Sequence, residues 1–208
     1  MSETNSEPAP ATSATPGTTG TTGGSGRSGR PPERIALSGG YSLRRRTLAD
    51  AEQLNAVLLA NLEHLRPWMA WAAEAPTLDV TRELARAGVT AWDEGTDFMY
   101  LVGLDAQPGS VVGAFGLHGR IGPGALEIGY WVAADHTRRG VATSAAERLT
   151  AAALALPGIA RVQIHCDEGN LPSAAVPRRL GFRLDRTEDH TPTAPAETGR
   201  KLIWVHPA

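Results

Sequence analysis

Three apolar, strand-like runs, Phe98 to Leu104, Val111 to His118 and Leu126 to Val132, follow one another across the turns Gln107-Pro108-Gly109 and Gly122-Pro123-Gly124. Runs joined this tightly are antiparallel neighbours, because a parallel crossover needs roughly a dozen residues or more. The middle of the chain is therefore expected to be an antiparallel meander, flanked by helical patterns. Thr47 and Asp50 read as the cap and acidic first turn of a helix with Ala51, Leu54, Leu58 and Leu62 on one face, broken at Pro67. A second helix, from about Asp79 to Trp92, is expected to turn Val80, Leu84, Ala87 and Ala91 inward. A third starts near Gly140, stops at Pro157-Gly158 and offers Val141, Ala145, Leu149, Ala152 and Leu156 to the core. Strands at Tyr41 to Arg46, Val162 to Cys166, Phe182 to Arg186 and Lys201 to Val205, with a short helix from Pro172 to Leu180, complete the order βααβββαβαββ. A late β-α-β crossover in a mainly antiparallel sheet predicts an α+β (mixed α/β) domain.

Patterning begins only at Tyr41. Of residues 1 to 33, 23 are Gly, Pro, Ser or Thr, and the apolar side chains are Met1 and three alanines. Such a stretch buries too little surface to offset its ordering entropy. The expected organisation is a disordered leader over 1–33 and a single domain over 34–208. The leader has no apolar segment of the secretory kind, and Glu3 and Glu7 do not suit an organellar transit peptide. No run of about 18 apolar residues occurs, so a cytoplasmic protein with no membrane partner is expected. Cys166, the only cysteine, excludes an intramolecular disulfide and any multi-cysteine metal site. A net charge of -2 at pH 7 gives nucleic acid no general electrostatic hold.

Chemistry concentrates where the last meander strand ends. After Glu127-Ile-Gly-Tyr-Trp-Val132 comes a loop with Thr137-Arg-Arg-Gly-Val-Ala142, and small residues open the next helix. Free N–H groups and the partial positive charge of a helix N-terminus suit a phosphate or pyrophosphate. Gly140 and Ala142 would allow close backbone approach, and Arg138 and Arg139 could add charge-assisted bonds. An arginine-rich loop that merely caps a core helix remains the alternative. The loop has neither the Gly-Lys-Ser/Thr of a P-loop nor a GxGxxG fingerprint.

Thr137-Arg138-Arg139-Gly140-Val141-Ala142 resembles the pyrophosphate-binding motif of the Gcn5-related N-acetyltransferases (GNAT), written Arg/Gln-x-x-Gly-x-Gly/Ala. Asn170-Leu-Pro-Ser173 through Leu180-Gly181-Phe182 is similar to a second segment of that family. Asn61-Leu-Glu-His-Leu-Arg-Pro-Trp68 with Trp71 resembles the RimJ/RimL-type ribosomal-protein N-terminal acetyltransferases. The resemblance spans residues 41 to 205. It implies a central, mostly antiparallel mixed sheet, flanked by helices and splayed between the fourth and fifth of the expected strands. It implies acetyl-CoA as co-substrate and no metal. Backbone groups of Trp131 and Val132 would then hold the pantetheine arm in the splay. The amides of Arg138, Arg139, Gly140, Val141, Ala142 and Thr143 would hold the pyrophosphate, and Asn170 would contact CoA. Ser173 would protonate the departing thiolate and Glu127 would act as general base. One or more of Trp68, Met69 and Trp71 would line the acceptor cleft, and a homodimer is compatible with this subgroup. Two departures stand out: Thr137 replaces the usual Arg or Gln, and Pro177 falls inside the Ser173 to Leu180 helix, where a proline costs about 3 kcal/mol.

Direct transfer needs a neutral amine. An α-amine of pKa about 7.8 is roughly a tenth neutral at pH 7, whereas a lysine at about 10.4 is neutral about once in 2,500, a gap near 3.5 kcal/mol. A protein or peptide N-terminal α-amine is the expected acceptor. A small amine such as an antibiotic or polyamine, a larger acyl-CoA, and a CoA-binding module without catalysis are the alternatives. Individual residues also carry blander readings. Glu127 could be a solvated carboxylate on the outer strand face, Ser173 a helix cap after Pro172, and His118 a solvated strand end. His165 and Cys166 alternate on a strand and so point to opposite faces, which disfavours a shared metal and makes Cys166 a core residue.

Overall fold

The computed structural model describes residues 29–208; residues 1–28 of the expected leader lie outside the described residues. The elements are β1 (Arg34–Ala36), β2 (Tyr41–Arg45), α1 (Ala51–Ala60), α2 (Leu62–Leu65), α3 (Leu78–Glu94), β3 (Asp97–Leu104), β4 (Gly113–His118) and β5 (Ala125–Val132), then α4 (Val141–Leu154), β6 (Arg161–Asp167), α5 (Leu171–Arg179), β7 (Arg183–Asp189) and β8 (Arg200–Pro207). All eight strands form one sheet in the order β1-β2-β3-β4-β5-β6-β8-β7. Each neighbouring pair is antiparallel except β5 with β6.

The parallel pair is short. Ala125, Leu126 and Glu127 face Arg161, Val162 and Gln163, and the register then ends although both strands continue. Beyond Glu127 the strands part, so the β6-facing edge of β5 from 128 to 132 has no ladder partner. One face of the sheet carries the larger core, which unites Ile128 and Val132 of β5, Val162 and Ile164 of β6, and Ala145, Leu149 and Ala153 of α4. On the other side, Leu54, Leu58, Leu65 and Ala72 from the α1–α2 region pack on Leu101 and Ala114, with Trp131 and Met69 against them.

Two expectations change, and the helix that holds Pro177 persists. Residues 29–33 do not stand apart from the domain: Pro31 is buried, Pro32 accepts from the Tyr100 hydroxyl at 2.9 Å, and the Glu33 carbonyl accepts from the Arg45 N–H at 2.7 Å. The three residues after them form β1, too short a strand to show a period. The inward face of α3 is also different. Thr81, Ala85, Gly88 and Trp92 are buried, while Val80 and Leu84 are 50% and 53% exposed. Small residues face inward because α3 lies close to its neighbours: Asn55 of α1 donates to Thr81 Oγ1 at 3.0 Å, and the Arg46 guanidinium occupies the space a side chain at 88 would need. Finally, α5 runs unbroken through Pro177.

Candidate active site

The opening between β5 and β6 is the feature around which the expected residues collect. Successive residues of a strand offer their backbone groups to opposite edges, so one of Trp131 and Val132 faces the opening and the other faces β4. Side chains divide the same way. Trp131 packs with the α1–α2 cluster, and Val132 is buried in the larger core.

At the end of β5 the chain turns into α4 through a loop tied down on both sides. Asn61, at the end of α1, accepts from the Ala134 N–H at 2.9 Å through its side-chain oxygen, and the Tyr41 hydroxyl meets His136 Nδ1 at 3.0 Å. Thr137 closes the turn by donating to the Ala134 carbonyl at 2.7 Å, which gives the departure from the family pattern a local structural use. Arg138 (φ 59°) and Gly140 (φ 79°) both adopt the left-handed conformation, and Arg138 is the only residue other than glycine to do so among the described residues. Two left-handed residues within three positions turn the chain sharply into α4. The first bond of α4 runs from the Ser144 N–H to the Gly140 carbonyl, which leaves the amides of Val141, Ala142 and Thr143 as the orphan donors of the first turn. Arg138, Arg139 and Gly140 are exposed. A Cβ at Gly140 would meet nothing within 4 Å, so it is backbone conformation, not crowding within the chain, that calls for glycine there.

Glu127 is buried, not solvated, with its side chain 8% exposed. Arg120, from the turn between β4 and β5, grips both carboxylate oxygens, Nε to Oε2 at 2.8 Å and Nη2 to Oε1 at 2.7 Å. Burial, the largest single influence, pulls the carboxyl upward, but the Arg120 guanidinium together with His165 and His118 holds the group below the ordinary carboxylate range. His165 Nδ1 lies 3.7 Å from Oε2, and burial lowers the basicity of both His165 and His118. A carboxylate so paired has a reduced proton affinity.

At the other wall of the opening, Asn170 caps α5 by accepting from the Ser173 N–H at 3.2 Å, so Ser173 is not the cap but the third residue of the helix. Tyr130 of β5 reaches it: the phenol oxygen is 3.2 Å from both Ser173 Oγ and the Ser173 carbonyl. Burial raises the Tyr130 phenol well above its usual range. The Cys166 thiol nearby is pushed up to about 11, chiefly by burial, and so stays protonated and unsuited to forming a covalent acyl-enzyme at neutral pH.

Of the expected acceptor-side residues, Trp68 lies on the β6–α5 loop, 3.3 Å from where a Gly169 side chain would begin, and Met69 shares the cluster that holds Trp131. Trp71 is 48% exposed and is not drawn into that cluster. Asp167 organises this corner by accepting from the N–H groups of Gly169 and Thr198, and the Ala196 N–H bonds to the Pro67 carbonyl, so the β7–β8 loop closes against the segment before Trp68. A groove of about 440 Å³ on the open sheet face is lined by Arg161, His165, Arg183 and Lys201, His165 being the residue whose ring lies beside Glu127. Among the described residues no cluster of His, Cys, Asp or Glu is arranged to hold a metal ion, and no helix is long and apolar enough to cross a membrane.

Sequence reasoning missed Arg120, Tyr130 and Asn61 as residues that shape the site. Signals existed for two of them: Asn61 opens the Asn61–Trp68 motif, and Tyr130 is a hydroxyl in phase with the apolar Leu126 and Ile128 on a buried strand face, which therefore needs a polar partner.

Residues 42–183 match the model of the acetyltransferase (GNAT) domain. The chain is 32% identical over 138 residues to YdaF of Bacillus subtilis (strain 168), whose name proposes a ribosomal N-acetyltransferase; the match covers 64% of this chain and 72% of that protein. Among solved structures, RimL, a ribosomal L7/L12 α-N-protein acetyltransferase in complex with coenzyme A through a CoA–cysteine disulfide, superposes with a TM-score of 0.76 at 21% identity, over 84% of this chain and 98% of that one. The microcin C7 self-immunity acetyltransferase MccE, in complex with acetyl-CoA and AMP, does so with a TM-score of 0.76 at 20% identity, over 85% and 97%. The splayed sheet, the glycine-bearing turn into α4 and the matched residues agree: the chain belongs to the GNAT acetyltransferase family.

Proposed function

We propose that the protein is an acetyl-CoA-dependent N-acetyltransferase whose acceptor is the α-amine of a protein or peptide N-terminus. The observation that carries this reading is the opening between β5 and β6, with the donor-rich turn into α4 at one side and Ser173 at the other. The donor set suits acetyl-CoA: backbone amides and two arginines for a pyrophosphate, and an unpaired strand edge for the amide-bearing pantetheine arm. Acetyl-CoA supplies the activated acyl carbon and a thiolate leaving group. An amide facing the opening from Trp131 or Val132 would steady the developing oxyanion, and Ser173 Oγ would give a proton to the departing sulfur. Asn170 would act indirectly, by capping the helix that carries Ser173.

The ion pair at Glu127 bears on the acceptor. With both oxygens engaged by Arg120, the carboxylate has reduced proton affinity, and a lysine would lack the base it needs. An α-amine, about a tenth neutral at pH 7, requires far less. The names of YdaF and RimL point to ribosomal-protein acceptors, whereas that of MccE points to a small molecule. Acetyl-CoA turnover against pooled N-terminal peptides, N-terminally blocked lysine peptides and aminoglycosides separates these readings. Turnover is expected on free N-termini and lost when they are blocked. Activity confined to aminoglycosides would transfer the assignment to small amines, and tight CoA binding without turnover on any amine would make the chain a binding module.

A further inference from the structure

Ser173 sits four residues before Pro177 on α5. A helical carbonyl ordinarily accepts from the N–H four residues ahead, and Pro177 has none to give. The Tyr130 hydroxyl, 3.2 Å from the Ser173 carbonyl, takes the position of that missing donor. The same phenol oxygen is 3.2 Å from Ser173 Oγ. Since the Ser173 N–H is held by Asn170 Oδ1, all three polar groups of the serine have partners, and two of the three are the same atom. Tyr130 is itself fixed, its ring stacked on Phe115 with 5.2 Å between centroids and 16° between planes. The proline that looks like a defect in the helix thus creates a vacancy that ties α5 to β5, the strand forming the opposite wall of the opening.

We infer that Tyr130 is a positioning residue: through the carbonyl left vacant by Pro177 and through Ser173 Oγ, it clamps the serine hydroxyl at the mouth of the β5–β6 opening. This rests on the reading of Ser173 as the proton donor. In that step the C–S bond breaks and a C–N bond forms; sulfur takes one proton, the acceptor nitrogen releases one, and Ser173 ends as it began. Tyr130 stays protonated throughout and serves only to hold the donor in place.

The test measures kcat, KM for acetyl-CoA and melting temperature across Tyr130→Phe, Ser173→Ala, their double variant, and Tyr130→Phe/Pro177→Ala. Tyr130→Phe is expected to lower kcat by about tenfold or more with KM for acetyl-CoA unchanged. Adding it to Ser173→Ala should cost nothing further, because it acts through the serine. In Tyr130→Phe/Pro177→Ala the new N–H at 177 can satisfy the carbonyl, so the melting temperature should recover while kcat does not. That variant also carries the kinetic test if Tyr130→Phe alone folds poorly. Wild-type kcat in Tyr130→Phe, losses that multiply in the double variant, or recovery of kcat together with melting temperature would each overturn the inference. Ser173→Ala with wild-type kcat would instead overturn the proton-donor reading on which it rests.

Discussion

Arg120 and Glu127 show how one contact can redefine a residue's chemistry. Alternation along β5 places Glu127 opposite Leu126 and Ile128, which is legible in the sequence; whether that face is wet or dry is not. The answer depends on a turn that returns Arg120 to a strand seven residues further on, and no local spacing encodes it. Replacing Arg120 by Ala leaves a buried carboxylate without its partner. The expected loss is about 1–3 kcal/mol, toward the lower end because the arginine side chain is 62% exposed and solvent screens the pair. The pH dependence has a definite sign. In the intact protein the Glu127 carboxyl titrates below its unfolded value, so its contribution is present above that value and disappears as pH falls through the lower folded one. Without Arg120 the main counterweight to burial is gone, so the group's value moves upward from its intact position and protonation relieves the variant. Thermal denaturation of both proteins should show a melting-temperature deficit that is widest near pH 7, narrows as pH falls toward about 4 and closes only below the depressed folded value of Glu127. A deficit independent of pH would mean that Arg120 contributes packing alone.

At the scale of elements, what could be read in advance was what is local. The turn into α4 announces itself through a strand end, two arginines, a glycine and a run of small residues, and the structure puts left-handed backbone at Arg138 and Gly140. The inward face of α3 was misread because apolar periodicity counts large side chains, while this helix packs through Thr81, Ala85 and Gly88. Close approach between helices selects small residues inside and strands Val80 and Leu84 outside. Gly140→Asp tests the α4 element. An aspartate there bears left-handed strain of about 1–2 kcal/mol, partly offset by about 0.3–1 kcal/mol from a negative charge at a helix N-terminus. Its carboxylate would take the same orphan amides that the proposed pyrophosphate contact uses. Melting temperature should therefore move by only a few degrees, while KM for acetyl-CoA rises at least tenfold. Unchanged kinetics would remove the pyrophosphate from this turn.

Across the whole molecule, the order of elements was written in the sequence because each strand and helix carries its own period and its own stop signals. The order of strands in the sheet was not, since β8 inserting between β6 and β7 depends on pairings between segments far apart in the chain. Nor was β1, whose Arg34↔Arg44, Ile35↔Leu43 and Ala36↔Ser42 register is supplied by its partner. These edge contacts make the N-terminal limit of the domain measurable. A chain starting at residue 29 retains every described contact and serves as the reference. Extending the deletion through residue 36 removes the β1 ladder, the burial of Pro31, the Tyr100 hydroxyl bond to Pro32 and the Glu33–Arg45 ion pair at 2.8 Å. The Tyr100 hydroxyl would exchange its bond to Pro32 for one to water, a net loss of about 1 kcal/mol, before any loss from the strand itself. The longer deletion should lower the melting temperature by several degrees or more, with activity falling as the fold loosens. Equal melting temperatures for the two truncations would place the true edge of the sheet at β2.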